Sequence, residues 1–167
     1  MRINSLFAIA LGLLLMDDGH VIAEVTAERS ERGVLVKIDD ELFTEYLMKA
    51  GKSPAMWPVI GPTGKPMTRS YPVGKAPAGE KETDDHPHHQ SIWFTHDRVN
   101  GADFWKDNVN GKSSGQAHID HRKFRAITND SATAKIVTVN DWMNGDKRVC
   151  EDERTMIFGT RPNGDRW

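Results

Sequence analysis

A chain of 167 residues is long enough for one domain with its own core, and its 38% hydrophobic content supplies the material for one. Its 22 Lys and Arg are scattered among 24 Asp and Glu and leave a formal net charge of −2, so the basic stripe of a nucleic-acid binder is missing and no nucleic-acid partner is expected. Cys150 is the only cysteine, which excludes an intrachain disulfide and a cysteine-rich zinc site.

Residues 1–23 read as a signal peptide. Arg2 gives a positive start, Leu6 to Met16 is apolar, and Val21-Ile22-Ala23 precedes a cut that would start the mature chain near Glu24. The apolar stretch of 11 residues is far short of the roughly 20 that span a bilayer. The expectation is a secreted or periplasmic protein with no membrane span in the mature chain, although Asp17 and Asp18 are unusual neighbours for such a stretch.

Alternation at period two makes strands the main element from there on. Val34, Val36 and Ile38 share one strand face after the Ser30-Glu31-Arg32-Gly33 turn, and a second strand over Leu42 to Met48 follows the Asp39-Asp40 turn. A helix over Glu41 to Lys49 competes; the β-branched and aromatic residues weigh against it. From Pro54 to Gly79 prolines recur at 54, 58, 62, 66, 72 and 77, which excludes a long helix or a central strand and predicts ordered loop or short edge strands. Ile92 to His96 reads as a strand, followed by a loop through Asn100-Gly101 and Asn110-Gly111.

Hairpins follow: Ala117 to Ile127, a turn at Asn129-Asp130, Ala132 to Asp141, a turn at Asn144-Gly145-Asp146, and Val149 to Phe158. Asn-Gly pairs favour such turns because both residues tolerate positive φ. The last turn, Pro162-Asn163-Gly164-Asp165, predicts a returning strand, and the end at Trp167 leads to the expectation of a fold truncated at the C-terminus. The predicted class is all-β, with residues 24–167 forming the N-terminal part of a single antiparallel β-sandwich domain.

The chemistry-bearing segment is Asp84-Asp85-His86-Pro87-His88-His89, with His96 seven residues on. Imidazole exchanges protons near neutral pH and, as the neutral ring, ligates metals. Pro87 biases His86 toward extended backbone. In that geometry His86 and His88 point one way and His89 the other, and His88, Gln90, Ile92, Phe94 and His96 share a strand face that is polar at its ends and apolar in its middle. Asp85, His86, His88 and His89 are the candidate catalytic residues, with Asp85 orienting an imidazole. A metal held by His86 and His88 stays open, its third ligand not visible among His96, His118, His121 or the carboxylates. A solvated, inert loop is the bland alternative.

Asn100, Asp103, Phe104 and Trp105 place polar groups beside aromatic rings, as a sugar-binding surface requires. His96, Asn100, Asp103 and Trp105 are the candidate substrate-binding residues, for a small-molecule or glycan ligand. Phe94 and Phe104 are expected in the core. Cys150, between Val149 and Glu151, reads as a strand residue rather than a nucleophile.

On the stretches Trp57-Pro58-Val59-Ile60-Gly61-Pro62-Thr63-Gly64-Lys65-Pro66-Met67-Thr68-Arg69, Asp85-His86-Pro87-His88-His89, Ser91-Ile92-Trp93-Phe94 and Asn100-Gly101-Ala102-Asp103-Phe104-Trp105, the chain resembles the PmoA-like family of secreted bacterial proteins labelled "methane oxygenase PmoA". Where that pattern has a basic residue after the histidines, this chain has Gln90. The resemblance implies a β-sandwich similar to the galactose-mutarotase type, in a longer chain than this one. Its label implies a metal-dependent oxygenase holding copper or iron on two or three of the histidines. Three readings result: a carbohydrate-processing enzyme, inactive as this fragment if a partner carboxylate lies beyond Trp167; that oxygenase; and a non-catalytic sugar-binding module.

Overall fold

Residues 23–106, 116–161 and 163–167 are described by a computed structural model. The expected signal peptide, apart from Ala23, and the Asn110-Gly111 turn lie outside the described residues.

Among the described residues eight strands form two antiparallel sheets. Sheet 1 has β1 (Val25–Arg29), β2 (Gly33–Ile38), β3 (Glu41–Ala50), β4 (Ser53–Val59) and β5 (Ile92–Trp93) in chain order. Sheet 2 is β6 (Ala117–Asp130), β7 (Thr133–Asn144) and β8 (Lys147–Gly159). The all-β class is therefore as the alternation predicts, and among the described residues no helix is long and apolar enough to cross a membrane.

The inner faces meet in a core built from β1, β2 and β3 on one side and β7 and β8 on the other. Val25, Val34, Val36, Ile38, Phe43 and Tyr46 pack with Ala134, Ile136 and Phe158, all buried. Val34, Val36 and Ile38 share that face because strand side chains alternate. Asp39 and Asp40, both at positive φ, make the two-residue turn into β3, a conformation short polar residues tolerate. The helical alternative over Glu41 to Lys49 is thus excluded.

The proline-rich segment holds one correction. Ser53–Val59 is not an edge strand: β4 pairs with both β3 and β5. It tolerates Pro54 and Pro58 because both fall at register irregularities with β3, between the pairs Ala50–Ser53 and Leu47–Ala55 and between Tyr46–Met56 and Thr44–Val59. The only positions of β4 that pair with β5 are Ala55 and Met56. Beyond β4 the chain is ordered loop, as expected, lying over the outer face of sheet 1, where Val73 and Trp57 cover Leu47, Ala50 and Ala55. Gly74 permits that contact, since a Cβ there would sit 2.2 Å from the Trp57 ring. The Glu82 carboxylate accepts from the backbone N–H groups of Ser70 (2.7 Å) and Tyr71 (2.8 Å), and these bonds hold its pKa below the usual range.

The hairpins of sheet 2 form where predicted, with the first turn shifted to Ser131-Ala132. Asn129 is not a turn residue. Its side-chain amide crosses to sheet 1, where Oδ1 accepts from Ala27 N at 2.8 Å and Nδ2 donates to Ala27 O at 3.4 Å. The final turn returns as expected: Gly159 and Trp167 exchange backbone hydrogen bonds and Thr160 bridges Arg166. Arg166 then donates to the carbonyls of Ile60 (3.1 Å) and Gly61 (3.2 Å).

β7 also carries a polar core. Tyr46, 2% exposed, donates to Asn140 Oδ1 at 3.3 Å, which leaves its oxygen to accept from His121 Nδ1 at 3.2 Å. Asn140 Nδ2 donates to Asp152 Oδ1 at 2.7 Å, and Trp142 Nε1 to Asp152 Oδ2 at 2.6 Å. Arg154 binds the same carboxylate through Nε and Nη2. Burial pushes the Tyr46 pKa up to about 12. Burial also opposes ionisation of Asp152, but the donations from Arg154, Asn140 and Trp142 outweigh it and hold that carboxyl below its usual range.

Two outcomes are expected. Ile136→Ala, at a fully buried position, lowers unfolding free energy by about 2–5 kcal/mol in urea denaturation, leaving a cavity its neighbours only partly fill. Asp152 stabilises the fold above the ordinary carboxylate range, and that stability is lost as pH falls through its lowered value. The urea midpoint of Asp152→Asn should therefore depend less on pH in the acid range than that of the parent.

Candidate functional site

The segment that bears the histidines is fixed by Arg69, sixteen residues upstream of Asp85. Its Nη1 donates to Asp85 Oδ1 at 3.0 Å, while Nη2 donates to the backbone carbonyls of Asp85 and His86, both at 2.8 Å. One nitrogen can serve two successive carbonyls only if the chain turns between them. His86 accordingly sits at φ 48°, and His89 N closes the turn by donating to His86 O at 2.9 Å.

This corrects the extended backbone expected before Pro87. The steric bias of the proline is modest, and the guanidinium grip with the turn hydrogen bond overrides it. The consequence is convergence: all three rings meet on one side instead of splitting across a strand. His86 stacks on His89 with centroids 5.0 Å apart, and His88 stands edge-on at 5.6 Å from His86 and 4.4 Å from His89. Trp105 lies 6.1 Å from His88 and 6.4 Å from His89, and Trp93 packs 5.0 Å behind it.

The alternation predicted downstream of His88 also fails. Ser91 is at φ 65° and only Ile92 and Trp93 pair with β4, so there is no continuous strand to His96. Gln90 turns into the core, 3.5 Å from the Ser53 hydroxyl that donates to it. Ile92 and Phe94, expected at an apolar centre, are 46% and 59% exposed. Phe104 is buried against Trp142, as expected.

Asp85 faces His86 Nδ1 at 2.9 Å, so the pair forms an oriented carboxylate–imidazole dyad with Nε2 on the far side of the ring. The Thr83 hydroxyl (2.8 Å), His86 and Arg69 all favour the ionised carboxylate and hold the Asp85 pKa far below the usual range. Trp105 is 39% exposed, and with Thr95, His96, Asp97 and Lys106 it lines an open cleft of about 440 Å³. His96 and Trp105 therefore line one cleft. Asn100 and Asp103 do backbone work instead. Asn100 (φ 49°) and Gly101 make a two-residue turn closed by Val99 and Ala102, and Asp103 Oδ1 accepts from the N–H groups of Trp105 (2.9 Å) and Lys106 (3.1 Å). Asp103 thus fixes the backbone that carries the indole.

Arg69, Thr83 and Asp97 were missed at the sequence level. Asp97 directly follows His96, 3.3 Å from its Nδ1, and was within reach of a spacing argument. Thr83, two residues before Asp85, makes the short side-chain contact such spacing favours. Arg69 had no local signal.

Among the described residues no group of three or more His, Cys, Asp or Glu side chains is placed to hold a metal ion.

The fold and this site define an all-β two-sheet protein whose long connecting loop carries an imidazole cluster. The chain belongs to a family of unknown function, DUF6807, whose model matches residues 33–167. No curated protein and no solved structure matches the chain.

If Arg69 imposes the turn, Arg69→Met should speed amide hydrogen exchange across residues 84–89 by an order of magnitude or so, about 1.4 kcal/mol of local stability. The melting temperature should stay nearly unchanged, because the inter-sheet core does not include it.

Proposed function

We propose that this chain is an exported carbohydrate-processing protein in which the Asp85–His86 dyad transfers a proton and Trp105 stacks on a sugar ring. The observation that carries the reading is the row His86, His89, Trp105, each ring in contact with the next, ending at the open cleft beside His96 and Asp97.

Each part has a chemical use. A carboxylate on Nδ1 fixes the tautomer and stabilises the imidazolium, leaving Nε2 to accept or donate a proton at a hydroxyl or anomeric oxygen. The exposed indole face offers an apolar plane to sugar C–H groups. His96, Asp97 and Lys106 line the cleft with the donors and acceptors that hydroxyls need. A mutarotase-type reaction calls for a carboxylate as well as an imidazole, and Asp97 supplies one within the chain. Export rests on the apolar Leu6 to Met16 stretch and is read by N-terminal sequencing of the periplasmic fraction, with a start near Glu24 expected.

A panel of reducing and oligomeric sugars followed by ¹H NMR tests binding through saturation transfer and turnover through the anomeric signals together. His86→Asn should slow turnover by about 10²–10⁴-fold with binding little changed. Trp105→Ala should weaken binding by about 3–10-fold. Binding without turnover in the parent would leave a sugar-binding module. The absence of saturation transfer from every sugar would remove the proposal.

A further inference from the structure

A second cleft, of about 250 Å³, opens where sheet 1 and sheet 2 separate between β4, β5 and β8. Its walls are Met56, Trp93, Phe94 and Met156, with Ile92 at the surface. The large exposure of Ile92 and Phe94 marks an apolar patch where soluble proteins usually keep polar groups.

Among the described residues Arg154 is the only charged one that lines this cleft, and its side chain is just 13% exposed. Its Nε and Nη2 are committed to Asp152, while Nη1 has no hydrogen-bond partner among the described residues. Asp152 takes the Nε and Nη2 edge of the guanidinium, whose carbon lies 5.1 Å from the centroid of the Phe94 ring, so the Nη1 edge faces the cleft beside that ring. The one other polar lining group, the Tyr46 hydroxyl, is already engaged by His121 and Asn140. Arg154 is therefore the single anchor left for a polar atom of a ligand.

We infer that this cleft binds a small aromatic carboxylate, its ring between Trp93, Phe94 and the two methionine thioethers and its carboxylate on Arg154 Nη1. The volume suits one ring with a short side chain, since a cavity of about 150 Å³ accepts benzene. Thioether sulfur against an aromatic ring is a favourable contact. A carboxylate on a partly buried guanidinium forms a charge-assisted bond, stronger than a neutral group would make. The cleft shares only Trp93 with the imidazole surroundings and does not depend on their role.

The probe is 3-phenylpropionate, titrated into the full chain with ¹H–¹⁵N NMR. Saturable shifts are expected at the Trp93 indole N–H and the Arg154 Nε–H. Neutral 3-phenylpropionamide should bind at least about tenfold more weakly, a difference of about 1.4 kcal/mol, and propionate, which lacks the ring, should be weaker too. Because loss of Arg154 strands the Asp152 carboxylate and endangers folding, the control is Met156→Trp, which fills the cleft. It should abolish the shifts while the rest of the spectrum keeps its dispersion. Equal affinity for acid and amide, shifts that map elsewhere, undiminished binding to Met156→Trp, or no saturable shift in the millimolar range would each overturn the inference.

Discussion

Two-sided burial of β3 and β4 is the constraint on which the arrangement depends. Phe43 and Tyr46 point into the space between the sheets, and Leu47 and Ala50 lie on the opposite face. An antiparallel strand usually needs only one covered face, the other being left to water. Here the second face is apolar as well, so the long connection between β4 and β5 is drawn onto it through Trp57 and Val73. That packing holds the loop, and the loop in turn carries Arg69, Asp85 and the three imidazoles. The candidate site is thus a consequence of how the outer face of the sheet is covered.

The two polar clusters differ in how they keep a carboxylate ionised. Asp85 lies at the surface, where water already solvates the anion and the donors from Thr83, His86 and Arg69 add to it. Asp152 is half withdrawn from water, and its charge survives because three side chains supply donors that replace the lost hydration. The first arrangement leaves its imidazole exposed to solvent. The second is a rigid element of the core, and it fixes Arg154 at the mouth between the sheets.

Most of the fold was legible in the sequence because strand periodicity and turn chemistry are local. Val34, Val36 and Ile38 alternate without interruption, and the Asn-Gly pairs at Asn100, Asn144 and Asn163 all lie in turns. Where a distant partner decides, local reasoning failed. Pro54 and Pro58 argued against a central strand, but register shifts against β3 absorb them. The direction of the His86 ring was set by Arg69, and nothing near His86 announced that grip. Phe94 was misplaced because strand parity was carried past Ser91, whose positive φ resets it. Asn100 and Asp103 have the composition of a ligand surface, and the backbone of their own turns uses them first.

The amide of Asn129 on both the N–H and the C=O of Ala27 imitates what a neighbouring strand would do. β1 is the outermost strand of its sheet, and such borders invite other chains to extend the ladder. By occupying the middle of that border with a side chain from the opposite sheet, the protein interrupts the row of free backbone groups that a foreign strand would need. One asparagine therefore caps part of an open sheet border while tying the two layers together.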